Sequence, residues 1–384
     1  ALTREARALL GALASGEKGA LGVLRHAPDG PISLLDEHED VQGAIGRAQE
    51  SIRDLLLAGL EWLRARHPER WRQASPAPVS LATWVGYDLD GRTDIHWGTT
   101  VRLRLEEKAL QLFRYTKALN EIEAARELAG VLADAGAEAA DQAAAFAADL
   151  ADPAAVADAA NRLTAASPRR LTSLQGARTV LTRLIETADE KTALALAVIR
   201  AEMDAYGLGV ARIHLRVNSA QVRSALRADL GLGADRAFLD RTALDAAAAK
   251  TAAAERRAVN FASIFEEQMT ARRQFMLCAQ VLKHVDEDTP IRFLIAEVEA
   301  PATVMGAIYL ARLYGVDHRL DISPLFETPD AIERGGRLIE RLLEEEEYVA
   351  YIRRRGRLSI QCGFSDSGRF MGQIAADLAI ERLH

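Results

Sequence analysis

The sequence predicts a helix-dominated α/β chain, a partial or elaborated (β/α)8 barrel of the TIM type, on three observations. Short apolar runs at 210–217, 291–296, 319–326 and 358–364 are each followed by helical sequence, and a strand-then-helix rhythm implies parallel pairing. Alanine is abundant while aromatic residues make up 5% of the chain, a mixture that favours helices. No strand precedes the glycine-rich phosphate turn that open doubly wound sheets often carry, which leaves the barrel as the first choice and the open sheet as the alternative.

The elements follow in order. Ile45, Ala48, Ile52, Leu55, Leu56, Leu60 and Leu63 form a stripe down one face of a helix over 41–66. His67-Pro68 ends it, and 73–78, with two prolines, reads as a linker. The expected division is therefore an N-terminal helical segment, 1–78, and a barrel portion, 79–384. Residues 81–87 are β-branched and aromatic enough for a short strand, and 88–94 supply turn chemistry. Residues 101–211 are almost wholly helical, with an alanine-rich insertion around 120–205. Its acid-studded block at 121–167 reads as helical hairpins, interrupted at Asp152-Pro153.

Composition excludes several classes of function. The formal charge is -7, so no whole-molecule field attracts phosphate backbones and nucleic acid is not an expected partner. Cys278 and Cys362 stand in apolar surroundings without CxxC or zinc spacing, which suits a reducing compartment and excludes a disulfide framework. There is no run of about 18 apolar residues, and the start is an amphipathic helix rather than a signal peptide, so the expectation is a cytoplasmic chain with no membrane partner. The first residue is Ala rather than Met, a hint of excision from something longer.

In parallel α/β folds the site lies where the strands run out. Those positions hold Asp88 and Asp90, then Arg216 and Asn218, then Glu297, then Glu327, then Ser365, Asp366, Ser367 and Arg369. Glu327 and Asp366, carboxylates from neighbouring strand ends, suit Mg2+ or Mn2+, because hard cations take oxygen ligands and keep positions open for water and substrate. Arginines beside them would hold a phosphate or carboxylate through paired hydrogen bonds. The same residues also suit plainer roles. Glu327, before Thr328-Pro329-Asp330, would complement a helix dipole; Asp366 would cap a helix beginning near Gly368; Arg216 would make a strand-end ion pair. His214 reads as a packing residue and His96 as a rim candidate, and no H-x-x-H or Ser/His/Asp pattern supports either. The acidic run 344–347 before Arg353, Arg354 and Arg355 reads as a solvated helix with a compensating basic end.

Two segments, Pro324-Leu-Phe-Glu-Thr328 and Gly363-Phe-Ser-Asp-Ser367, resemble the "PLFET" and "GYSDS" segments of phosphoenolpyruvate carboxylases. Upstream, residues 206–216 with Asn218-Ser219 resemble that family's "FGL…LDIRQ-S" strand, and residues 84–91 its "WxGGDRDG" segment. The resemblance implies a helix-elaborated (β/α)8 barrel that uses Mg2+ (or Mn2+) to carboxylate phosphoenolpyruvate with bicarbonate, giving oxaloacetate and phosphate. By motif match Glu327 and Asp366 would be metal ligands, and Arg216, Arg369 and Ser365 substrate contacts. The full-length parent would be a homo-oligomer.

Several family features are missing. The "HPT" segment with its catalytic histidine, the "GRGGS" loop and the "TEQGE" segment are not in the sequence, so no catalytic residue is assigned. The chain is expected to be the middle of a longer protein, inactive alone. Leu89 stands where the family has arginine, Arg369 where it has lysine, and Phe370 where it has an acid. Two rival readings are another metal-dependent barrel enzyme acting on phosphoenolpyruvate or pyruvate, and a degenerate, non-catalytic helical interaction protein.

Overall fold

The structure, a computed structural model, describes residues 4–15, 31–92, 94–233 and 235–383. Helix α1 (Arg4–Ala14) is followed by α2 (Leu34–Arg66). The latter starts before the predicted residue 41 because of a reciprocal cap. Ser33 Oγ accepts from the Asp36 amide at 3.2 Å, and the Asp36 carboxylate accepts from the Ser33 amide at 3.1 Å. The helix ends at His67, before the proline. A short turn at Trp71–Gln73 follows, and its carbonyls are held by Arg200, whose Nη2 donates to Arg72 and Ala74 at 2.8 Å each.

After β1 (Ala82–Thr83) comes the helical block: α3 (Trp97–Asn120), α4 (Arg126–Ala145), α5 (Pro153–Thr164), α6 (Gln175–Thr187) and α7 (Glu190–Tyr206). Helix α3 lies along α4, α6 along α7, and α2 against α7. Their shared apolar core includes Ile52, Leu56, Leu60, Leu112, Leu132, Leu181 and Leu196. The break at Asp152-Pro153 is wider than the sequence suggests. Phe146 leaves α4 to pack against Trp97 and Phe261, with ring centroids 6.5 and 5.7 Å away, and Asp152 then caps α5.

The remaining chain alternates: β2 (Arg212–Asn218), α8 (Ser219–Leu230), α9 (Arg241–Ala252), α10 (Phe261–Glu266), α11 (Thr270–His284), β3 (Ile291–Ala296), α12 (Pro301–Leu313), β4 (Leu320–Phe326), α13 (Pro329–Leu343), α14 (Glu346–Arg355), β5 (Gln361–Cys362), α15 (Phe364–Met371) and α16 (Gln373–Leu383). Among the described residues all five strands are parallel and pair in chain order, β1 to β5. Among the described residues they form a half-barrel wall and do not close into an eight-stranded ring.

The outer strands are shorter than predicted. The run at 81–87 pairs over two residues only, because Gly86 adopts a φ of 87° and the Tyr87 amide turns back to the Trp84 carbonyl. A side chain at Gly86 would also collide with Leu103. At the other edge, Phe364 already begins α15, so 358–364 contributes two paired residues.

Alternation along β2 places the two faces. Ile213, Leu215 and Val217 are buried in the largest apolar cluster, with Phe293 and Ile295 of β3 and Met305 and Leu310 of α12. Arg212, His214, Arg216 and Asn218 are half-buried on the other, concave side. Cys278 and Cys362 are buried and unbonded. Among the described residues no helix is long and apolar enough to cross a membrane.

Candidate active site

The site assembles at the carboxyl ends of β1, β2 and β4. After β1 the chain rejoins the sheet as a single bridge. The Arg216 amide donates to the Tyr87 carbonyl at 3.0 Å, and the Leu89 amide to the Arg216 carbonyl at 2.8 Å. Extended backbone sends alternate side chains to opposite faces. Asp88 and Asp90 therefore face the concave side while Leu89 is buried beside Tyr87, Trp97 and Val101. The replacement of the family's arginine by Leu89 thus falls in the core.

Arg216 gathers the carboxylates. Its Nη2 donates to Asp90 Oδ2 at 2.9 Å and to Glu327 Oε1 at 2.8 Å, and its Nε lies 3.9 Å from Asp88 Oδ1. Reaching Glu327 means crossing β3, which only the concave face allows. Burial opposes the charge on Arg216, but Glu327, Asp88 and Asp90 outweigh it and raise its pKa. Burial likewise lifts the Asp88 carboxyl above its ordinary value, against the Asp90 amide and Arg216. Asn218 ties the cluster to α8. Its Nδ2 donates to Asp90 Oδ1 at 3.3 Å while its Oδ1 caps the helix at the Gln221 amide, 2.9 Å away.

Glu327 is 8% exposed, and its neighbours decide where it points. Thr328 caps α13 by accepting from the Ala331 amide at 3.2 Å, with Pro329 in the first turn. The helix start is thereby served, and the Glu327 carboxylate turns to Arg216. On its other flank lies Gly363, where a Cβ would stand 2.6 Å from Glu327 Cγ.

The other strand-end residues take different places. Glu297 is exposed, with a φ of 56°, and its carbonyl accepts from Ser219 Oγ at 2.7 Å. Ser367 is buried and donates to the Gly363 carbonyl at 2.5 Å. Arg369 is exposed on α15. The backbone of Ser365 and Asp366 lies in the first turn of α15, but their side chains lie outside the described residues. Because α15 begins at Phe364, Asp366 does not stand at the start of a helix beginning near Gly368. His96 caps α3, its Nδ1 accepting from the Gly98 amide at 3.2 Å, and burial with nearby Arg273 holds its pKa low.

Three carboxylates gather around one guanidinium, and their oxygens are the donor type that a divalent cation takes, although Asp90 and Glu327 are engaged by Arg216. Among the described residues no group of three His, Cys, Asp or Glu side chains is placed so that it could hold a metal ion. The positions of Asp88 and Asp90 beyond a strand predict the rim but not their coupling to Arg216. The signal was their i, i+2 spacing beyond a strand, which puts both carboxylates on one face. The space that Gly363 leaves for Glu327 had no sequence signal.

A family model for phosphoenolpyruvate carboxylase matches residues 170–382, more than half of the chain. Curated relatives bear the same name. The protein from Aeromonas hydrophila is 31% identical over 115 residues, covering 30% of this chain and 13% of the relative. The one from Chromohalobacter salexigens is 38% identical over 85 residues, covering 22% and 9%, and the one from Hahella chejuensis is 36% identical over 84 residues, also covering 22% and 9%. The matched stretch thus spans about an eighth or less of these relatives' length.

Proposed function

The chain belongs to the phosphoenolpyruvate carboxylase family, and from that premise we propose that its concave rim serves the carboxylation of phosphoenolpyruvate by bicarbonate, yielding oxaloacetate and phosphate. In this reading Glu327 and Asp366 hold Mg2+ or Mn2+, and Arg216, Arg369 and Ser365 contact substrate. The observation that carries it is the convergence of Arg216, Asp90 and Glu327 at 2.8–2.9 Å from three separate strand ends.

A divalent ion would supply stabilisation of negative charge developing on the substrate. The chain's own residues do the positioning. Asp90 and Asn218 hold the approach of Arg216, and the β2–β3–β4 pairing fixes its distance from Glu327. Arg216 offers a planar fork suited to a phosphate or carboxylate. The half-barrel would form part of a (β/α)8 barrel in a cytoplasmic, homo-oligomeric parent. The resemblance assigns acid/base work to a histidine of the "HPT" segment, which this sequence does not contain. This stretch alone is therefore expected to turn over no substrate.

Mn2+ binding followed by electron paramagnetic resonance tests the reading. Glu327→Ala and Asp366→Ala should each weaken binding by about tenfold or more, since each removes one of few charged ligands. Native affinity in both variants would refute the metal site and favour a scaffold. Oxaloacetate formation by this chain at ordinary enzyme rates would refute the expectation of inactivity.

A further inference from the structure

The amino-terminal end of the same sheet carries a second cluster that the carboxylate rim does not use. Arg212 and His214 on β2, Arg292 on β3 and Asp321 on β4 share the concave face, with His214 opposite Arg292 and Arg292 opposite Asp321 in the register. With Ser80 and Arg357 they line a cleft of about 190 Å³, the liquid volume of roughly six waters. Ala82 and Pro290 are its other lining residues. No Phe, Tyr or Trp lines it, and most of the lining is polar or charged, so the cleft suits a small hydrophilic guest.

Its charges do not balance. Asp321 is the carboxylate of the cleft, and it is already engaged. Arg355 Nε donates to its Oδ1 at 2.9 Å, and Arg357 Nη1 lies 3.7 Å from its Oδ2. Among the described residues Arg212 and Arg292 make no ion pair or side-chain hydrogen bond. Like charge adds to burial at these residues. Burial, then Arg357, lowers the pKa of Arg212, and burial, then Arg292 and Arg212, pushes His214 down to about 4. The whole chain carries a charge of -7, so a cationic surplus here is a local arrangement. Arg212 precedes Arg216 by two strand repeats, roughly 13 Å, which separates this cleft from the rim.

We propose that the cleft binds a compact oxyanion of the phosphate class, gripped by Arg212, Arg292 and Arg357 with the Ser80 hydroxyl as an additional donor. Several guanidinium forks converging on one small volume match an ion with three or four oxygens and more than one charge better than a lone carboxylate. The site is independent of the proposed carboxylation.

Calorimetric titration with inorganic phosphate, at pH 8 in EDTA, tests the proposal. It predicts saturable binding that weakens by about tenfold or more in Arg212→Gln and Arg292→Gln and persists in Arg216→Gln and in the distant Arg334→Gln. Glycerol phosphate run in parallel tells a free ion from a phosphoryl group on a metabolite, and binding of either at this cleft supports the site. Absence of saturable binding, binding unaffected by Arg292→Gln, or binding abolished only by Arg216→Gln overturns it. Should the arginine variants fail to fold, the imidazole resonance of His214 in the native chain decides. Movement with phosphate supports the site, and a stationary His214 beside saturable binding refutes it.

Discussion

Replacing Arg216 by methionine leaves Glu327, Asp90 and Asp88 facing one another without their shared cation. Unit charges about 4 Å apart interact by about 4 kcal/mol at an effective dielectric near 20, and the desolvation of both partners offsets much of that. Stranding a buried carboxylate by deleting its partner costs about 3–5 kcal/mol. The side chains of Arg216 and Asp90 keep 27% and 21% exposure against 10% for Glu327, which points to the lower end, about 3 kcal/mol. The loss has a defined pH sign. Burial already lifts the Asp88 carboxyl above its ordinary value against Arg216; without the guanidinium it rises further, so the native state of the variant binds more protons than the unfolded one. The deficit is then full above the raised pKa and shrinks as pH falls toward about 4. Urea unfolding of both proteins at pH 8 and pH 4.5 measures it. A deficit below about 0.5 kcal/mol at pH 8, or one that is equal at both pH values, would refute the assignment of Arg216 as the electrostatic keystone.

Two further outcomes follow from the packing. Gly363→Ala places a Cβ 2.6 Å from Glu327 Cγ and should cost about 1–3 kcal/mol as overpacking while weakening Mn2+ binding; unchanged Mn2+ affinity would show that Glu327 does not need this space. Lys108 is buried, donates to the Val285 carbonyl at 2.9 Å, and has its pKa lowered to about 8 by burial, with Arg104 adding to it against Asp286. Between that value and its unfolded value the unfolded chain binds more protons, so this residue makes stability rise with pH across roughly 8 to 10.4. Lys108→Met should flatten that rise relative to the native chain, and identical pH profiles of unfolding would contradict it.

Much of the candidate site was legible before folding was considered. Pro324-Leu-Phe-Glu-Thr328 announces a buried strand, a carboxylate at its end and a capped helix after it, and all of these are local consequences of residue type. The ends of the sheet were less legible. The run at 81–87 looked like a full strand, yet the φ of Gly86 and the bulk of Leu103 bend it away after two paired residues. The exposure of Glu297 beyond β3 was equally hidden, since it depends on a backbone φ of 56°.

By itself the sequence determined the parallel strand-helix rhythm, the helical block and which polar residues stand at strand ends, because periodicity, caps and breakers act within a few residues. Only the tertiary structure decided that Asp90, Arg216 and Glu327 meet on one guanidinium, that Glu297 turns away, and that Arg212 and Arg292 share a cleft with one engaged carboxylate. The first and last of these depend on strand order and register, which around Arg216 bring together residues more than a hundred positions apart, and no local pattern encodes a distance across a sheet.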